Sequence, residues 1–120
     1  MPSPELPDYG AVFALGAIDG EMQQDGACER GGHTARTLVH APDLRVLLVV
    51  MKAGSRIAKH RANESAVIHA VSGHVLLRLP DTTVELSAGH LLALAPGLQH
   101  DVEAAVDSAF VLTLGWHDRQ

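Results

Sequence analysis

The sequence predicts an all-β domain, a sandwich or barrel of short strands, and three observations lead there. Apolar and β-branched runs recur about every ten residues, separated by clusters of Gly, Pro, Ser and Asp. No long stretch between these runs reads as a helix, which argues against a parallel sheet with helical crossovers. Aromatic residues make up 3% of a chain that is 47% hydrophobic, so the core must be assembled from Val, Leu, Ile and Ala.

Residues 1–32 differ in character from the rest and are read as an N-terminal extension, partly irregular, ahead of a barrel domain over residues 33–117. Pro2, Pro4 and Pro7 keep the start extended. Residues 11–18 (AVFALGAI) suit either a strand or a short helix, and the polar, Gly-rich residues 19–32 read as loop. Residues 35–40 form the first expected strand, stopped by Ala41-Pro42-Asp43. Residues 44–52 (LRVLLVVMK) suit a strand buried on both faces. Residues 65–71 and 75–79 flank the hairpin turn Ser72-Gly73-His74. Strands over 83–86, 91–94, 99–104 and 109–114 follow, set apart by Pro80-Asp81-Thr82, Ser87-Ala88-Gly89 and Pro96-Gly97.

At 120 residues the chain suits one domain with its own core. Its net charge of −5 and lack of a basic patch argue against nucleic acid as a partner. No apolar run is long enough to span a bilayer, and the first ten residues lack the pattern of a signal peptide. The single cysteine, Cys28, cannot form an intrachain disulfide, so a reducing cytoplasm is the expected compartment and Cys28 an ordinary loop thiol.

Two segments carry more than strand patterning. Residues 54–73 read GSRIAKHRANESAVIHAVSG, and residues 89–100 read GHLLALAPGLQH. Together they resemble the two conserved motifs of the cupin superfamily. The first motif runs Gly, five residues, His-x-His, three or four residues, Glu, six residues, Gly; Gly54, His60 and Gly73 fall into place. The second runs Gly, five residues, Pro-x-Gly, two residues, His, three residues, Asn; Gly89, Gly97 and His100 fit, with the proline displaced by one to Pro96. The resemblance spans roughly residues 35–116 and implies a double-stranded β-helix, the jelly-roll cupin barrel.

The departures bear on function. The resemblance implies that the two His of His-x-His, the Glu and the later His would hold one metal. Here His60 and His100 fill two of those positions, while Ala62 and Ala66 stand at the other two and Ala104 at the Asn. Strand alternation adds that, with His60 and His100 inward, Ala62, Ala66, Ile68, Ala70, Val102 and Ala104 share their side, joined by Leu77 and Leu79. The expected ligand pocket is therefore His60, Ala62, Ala66, Ile68, Leu77, His100 and Val102, a mostly apolar cavity in which the alanines leave room for a small ligand.

As metal ligands, His60 and His100 fall short of the usual three protein donors. Glu64 and His69 are the candidates for a third. Glu64 has the parity of His60 but lies in a turn, and His69 has the opposite parity and would need a β-bulge. The cofactor stays open, with one divalent transition metal (zinc, iron, manganese or nickel) as the candidate, and no catalytic residue is assigned. His33, His74, His90 and His117 read as solvated or turn residues, and His40 as a candidate to line a barrel mouth. Arg45, Lys52, Arg78 and Glu85 read as outer-face residues, and Asp101, Glu103 and Asp107 as a solvated rim.

The expected function is a small cupin-domain protein of unassigned specific activity that binds a small molecule, with or without a metal, in the barrel cavity. The alternative is a metal-dependent cupin enzyme, a small dioxygenase or isomerase, with His60 and His100 as ligands. Metal-free acid–base chemistry by either imidazole lacks a visible carboxylate partner. The resemblance also implies a homodimer. Leu76, Leu91 and Val111 are expected on outer faces, and the 11–18 segment is expected to pack across the partner.

Overall fold

The computed structural model describes residues 10–116, with the side chains of residues 59 and 60 outside the description. Two helices, α1 (Leu15–Gln23) and α2 (Gly26–Gly31), precede nine strands: β1 (His33–Ala41), β2 (Leu44–Met51), β3 (Arg56–His60), β4 (Ala66–Ser72), β5 (His74–Arg78), β6 (Thr83–Ser87), β7 (Leu91–Leu94), β8 (His100–Ala104) and β9 (Ser108–Gly115). The strands pair antiparallel in two sheets, of order β1-β2-β9-β4-β7 and β3-β8-β5-β6. This is the jelly-roll architecture expected from the sequence, two sheets enclosing an interior.

Alternation sorts the side chains. Val49 and Met51 on β2, Ala66, Ile68 and Ala70 on β4, Val75 and Leu77 on β5, Val102 and Ala104 on β8 and Phe110 on β9 meet in the main core between the sheets. Leu48 and Val50, the alternate residues of β2, face the other way. With Leu38, Ala109 and Val111 they form a second core closed by Met22 and Cys28 from the helices. The unbroken apolar run of β2 thus has two destinations, as its composition requires.

That second core explains the helices. Residues 19–32, expected as loop, are largely helical. Gly16 and Gly20 weaken α1, and no side chain caps its start. Its hold comes from Leu15, Ile18 and Met22 packing on the sheet, and from polar contacts. Ser72 Oγ donates to Asp19 at 2.8 Å, and Lys52 Nζ donates to the Gln23 carbonyl at 2.8 Å. In α2, Asp25 accepts from the Ala27 amide at 2.8 Å as an N-cap. Cys28 lies wholly buried rather than in a loop, and burial raises its thiol pKa.

The strand that the sequence patterning did not mark out is β3. The segment at 11–18 packs Phe13, Leu15 and Ile18 against its own barrel. Val111, expected outside, is covered by the same helices, while Leu91 is exposed and Leu76 lies on the other sheet. The three residues therefore make no common outer surface. Among the described residues no helix is long and apolar enough to cross a membrane.

Candidate functional site

One end of the barrel is where β3 and β9 finish and β2, β4 and β8 begin. A bulge in β3 between Ile57 and His60 brings position 60 opposite His100 in the register, while Ile57 stays opposite Val102. The loop after β3 is fastened on two sides. Gly97 donates its amide to the Ala62 carbonyl at 2.8 Å, and Gly115 donates to the Ser65 carbonyl at 3.2 Å.

These elements enclose a mouth cavity of about 350 Å³, lined by Arg61, Ala62, Asn63, Glu64, Ala66, His100, Leu112, Leu114, Gly115 and Trp116. Deeper between the sheets lies a chamber of about 110 Å³, lined by Val49, Ile57, Ile68, His100, Val102, Phe110 and Leu112. Beside the mouth a polar groove of about 540 Å³ runs along Arg78, the turn at residues 79–82, Thr83, Gln99, His100 and Asp101. His100 borders all three.

His100 is buried, and its Nδ1 lies 3.1 Å from the Leu98 carbonyl oxygen. A carbonyl only accepts, so Nδ1 carries the hydrogen and donates it. In the neutral ring this makes Nε2 the basic nitrogen, its orientation set by the backbone.

Of the expected pocket residues, Ala62, Ala66 and His100 line the mouth, and Ile68, His100 and Val102 line the chamber. Leu77 is fully buried in the core and lines neither. The His60 side chain and His117 lie outside the described residues. Glu64, considered as a third ligand, lines the mouth. His69 is exposed on the outer face of β4, between Val111 and Leu91 in the register, and turns away from the cavity.

Sequence reasoning missed Trp116 and Arg45. Arg45 shares the inward parity of Leu47 and Val49 instead of facing outward. Its guanidinium stacks 4.4 Å from the centroid of the Trp116 ring and donates to the Ala41 carbonyl. The indole is thereby held at the lip of the mouth. Leu112 and Leu114 follow from alternation with Phe110 along β9, a signal that was present in the sequence.

On the opposite face of β8, Asp101 is buried rather than part of a solvated rim. It pairs with Arg78 at 3.4 Å, and Arg78 also meets Glu103 at 2.5 Å. Arg56 reaches Glu103 from the other side at 3.4 Å. Cations from β5 and β3 relieve the like charges, and the Arg78 hydrogen bond holds the Glu103 carboxyl below its ordinary pKa.

Ala62 and Ala66 offer methyl groups at two of the four family ligand positions, so the family-type donor set is reduced to His60 and His100, short of the usual three protein donors.

No curated protein matches the chain. Among solved structures, the chain resembles a conserved protein of unknown function from Streptococcus pyogenes, at 17% identity and a TM-score of 0.72, over 99% of this chain and 98% of that one. It resembles a cupin superfamily protein from Desulfitobacterium hafniense at 11% identity and a TM-score of 0.73, over 92% of this chain and 94% of that one. It also resembles a variant of salicylate 1,2-dioxygenase from Pseudoaminobacter salicylatoxidans at 18% identity and a TM-score of 0.75, over 88% of this chain but 34% of the enzyme. Such distant likenesses show the fold, a small cupin barrel. Residues 46–117 match the family model described as the AraC-like ligand binding domain, and the chain belongs to that family.

Proposed function

We propose that the protein binds a small organic molecule at the mouth of the barrel, with His100 as the polar group that orients it. The observation that carries this reading is the mouth cavity itself, about 350 Å³ with a largely apolar wall of Ala62, Ala66, Leu112, Leu114 and Trp116. Ligand pockets are commonly about 300–1,000 Å³, apolar with a few placed polar groups. The two alanines make the space that bulkier donors would occupy. His100 brings its imidazole to the wall of the mouth, and Arg61, Asn63 and Glu64 line the polar rim. Membership in a ligand-binding family supports the same reading.

Trp116 is the only tryptophan, so its emission reports on the cavity directly. Titration with a panel of small organic acids, amines and polyols should find compounds that change that emission saturably. Ala66→Phe fills the cavity and should weaken such a compound at least tenfold while leaving the far-UV spectrum unchanged. Undiminished binding to folded Ala66→Phe would place the ligand elsewhere and sink the proposal.

A further inference from the structure

We infer that the ligand carries a compact apolar group that passes His100 into the inner chamber and leaves its hydrogen-bonding end at the mouth. This rests on the reading of the mouth as a ligand site and adds the chemical class of the ligand.

The two cavities are stacked along the barrel. On β9, Leu114 lines the mouth, Leu112 lines both spaces and Phe110 lines the chamber. On β4 the order is Ala66 then Ile68, and on β8 it is His100 then Val102. Inward residues two apart on three strands thus lead from one space into the other. Ala66 keeps the upper part of that path wide.

The chamber suits hydrocarbon better than water. Six of its seven lining side chains are hydrocarbon, and the one polar group, His100, has Nδ1 committed to the Leu98 carbonyl. The backbones of β2, β4, β8 and β9 along it belong to paired ladders. A buried water needs about two to four polar partners, and an apolar cavity of about 150 Å³ stays dry and takes benzene or xenon. The chamber here, about 110 Å³, holds three or four heavy atoms at roughly 30 Å³ each. A short alkyl group fits, and a fused ring system does not.

The test uses the wild-type protein with its Ile, Leu and Val methyl groups labelled for NMR. Xenon should shift the Ile68, Val102 and Leu112 methyls in a saturable way. A series of straight-chain alcohols from methanol to hexanol should bind about fourfold more tightly per methylene. That gain should stop near butanol, where the chamber is full. Val102→Phe, which occupies the chamber, should abolish both effects.

Absence of a xenon response at these methyls, or alcohol affinity independent of chain length, would overturn the inference. Either result would leave the mouth reading standing on the Trp116 titration. A xenon response and methylene gain in a protein whose Trp116 emission answers no compound would show an apolar chamber without a ligand end at the mouth, and would overturn the mouth reading and the inference with it.

Discussion

Replacing Gly73 with alanine should destabilise the domain far more than the same change at Gly89, although both have positive φ. Gly73 turns the chain between β4 and β5 at φ +74°, and an added Cβ would lie 2.8 Å from Ser108 Cα and press on Ser108 Oγ and the Asp107 carbonyl. The left-handed conformation alone costs an alanine about 1–2 kcal/mol. The collision adds more, because Ser108 is wholly buried and its hydroxyl is committed. It accepts from the His74 amide at 3.0 Å and donates to the Val106 carbonyl at 2.7 Å. Moving Ser108 loosens these bonds, at about 1–3 kcal/mol for a buried group left unsatisfied. The overpacking itself costs about 1–3 kcal/mol. Together Gly73→Ala should lose roughly 3–8 kcal/mol of the roughly 5–15 kcal/mol that holds a domain. At Gly89, φ is +88° but nothing lies within 4 Å of the added Cβ, so only the conformational cost applies. Urea unfolding of both variants, followed by circular dichroism, measures the difference. Equal losses would refute the claim that contact with the turn before β9, beyond the backbone angle, demands glycine at position 73.

The ion-paired face of β8 should show in acid. Arg78 holds Glu103 below its ordinary 4.5, so the pair's contribution is complete above that pH and fades as pH falls through the lower, folded-state value. Glu103→Gln should therefore flatten the acid limb of the Tm–pH curve below pH 4.5, and an unchanged limb would contradict the pairing. Burial raises the Cys28 thiol and covers it completely, so a thiol reagent such as DTNB should react at the rate of opening of α2 rather than at that of a free thiol. Rapid stoichiometric labelling of native protein would show that the second core is not closed over it. Prolonged dialysis against EDTA should leave Tm within about 1 °C, because Ala62 and Ala66 take away two of the four family ligand positions. A fall of several degrees, reversed by one metal ion per chain, would contradict that.

Strand patterning exposed most of the barrel because alternation has a physical cause. A residue between two sheets faces either the core or the outside, so Val102 and Ala104, or Ile68 and Ala70, can be placed by counting. β3 escaped because its residues, RIAKH, include two cations and its bulge breaks the count. The helices escaped for a different reason. Gly16, Gly20 and Gly26 lower local helix propensity, and only the apolar outer face of β2 and β9 makes helices the better state there. Asp25 and Gly32 stood in the sequence as cap signals for α2, but in a polar Gly-rich stretch they read equally as turn residues. At the site, alternation identified the inward face but not which end of each strand is open. Arg45 and Trp116 gain their place only once β2 and β9 are paired and the residue after β9 reaches the mouth. Asp101 was misjudged because the sequence shows its acidic neighbours and not the arginine facing it across the ladder.

The helical cover over the larger sheet also bears on how the protein can be handled. A barrel started at His33 would keep every strand and both cavities, yet it would present Leu48, Val50, Ala109 and Val111 side by side to water. Such a patch favours self-association. The helices thus act as a solubility shield, and a shortened chain that still folds would be expected to elute as aggregates, or to need detergent, before it lost its secondary structure.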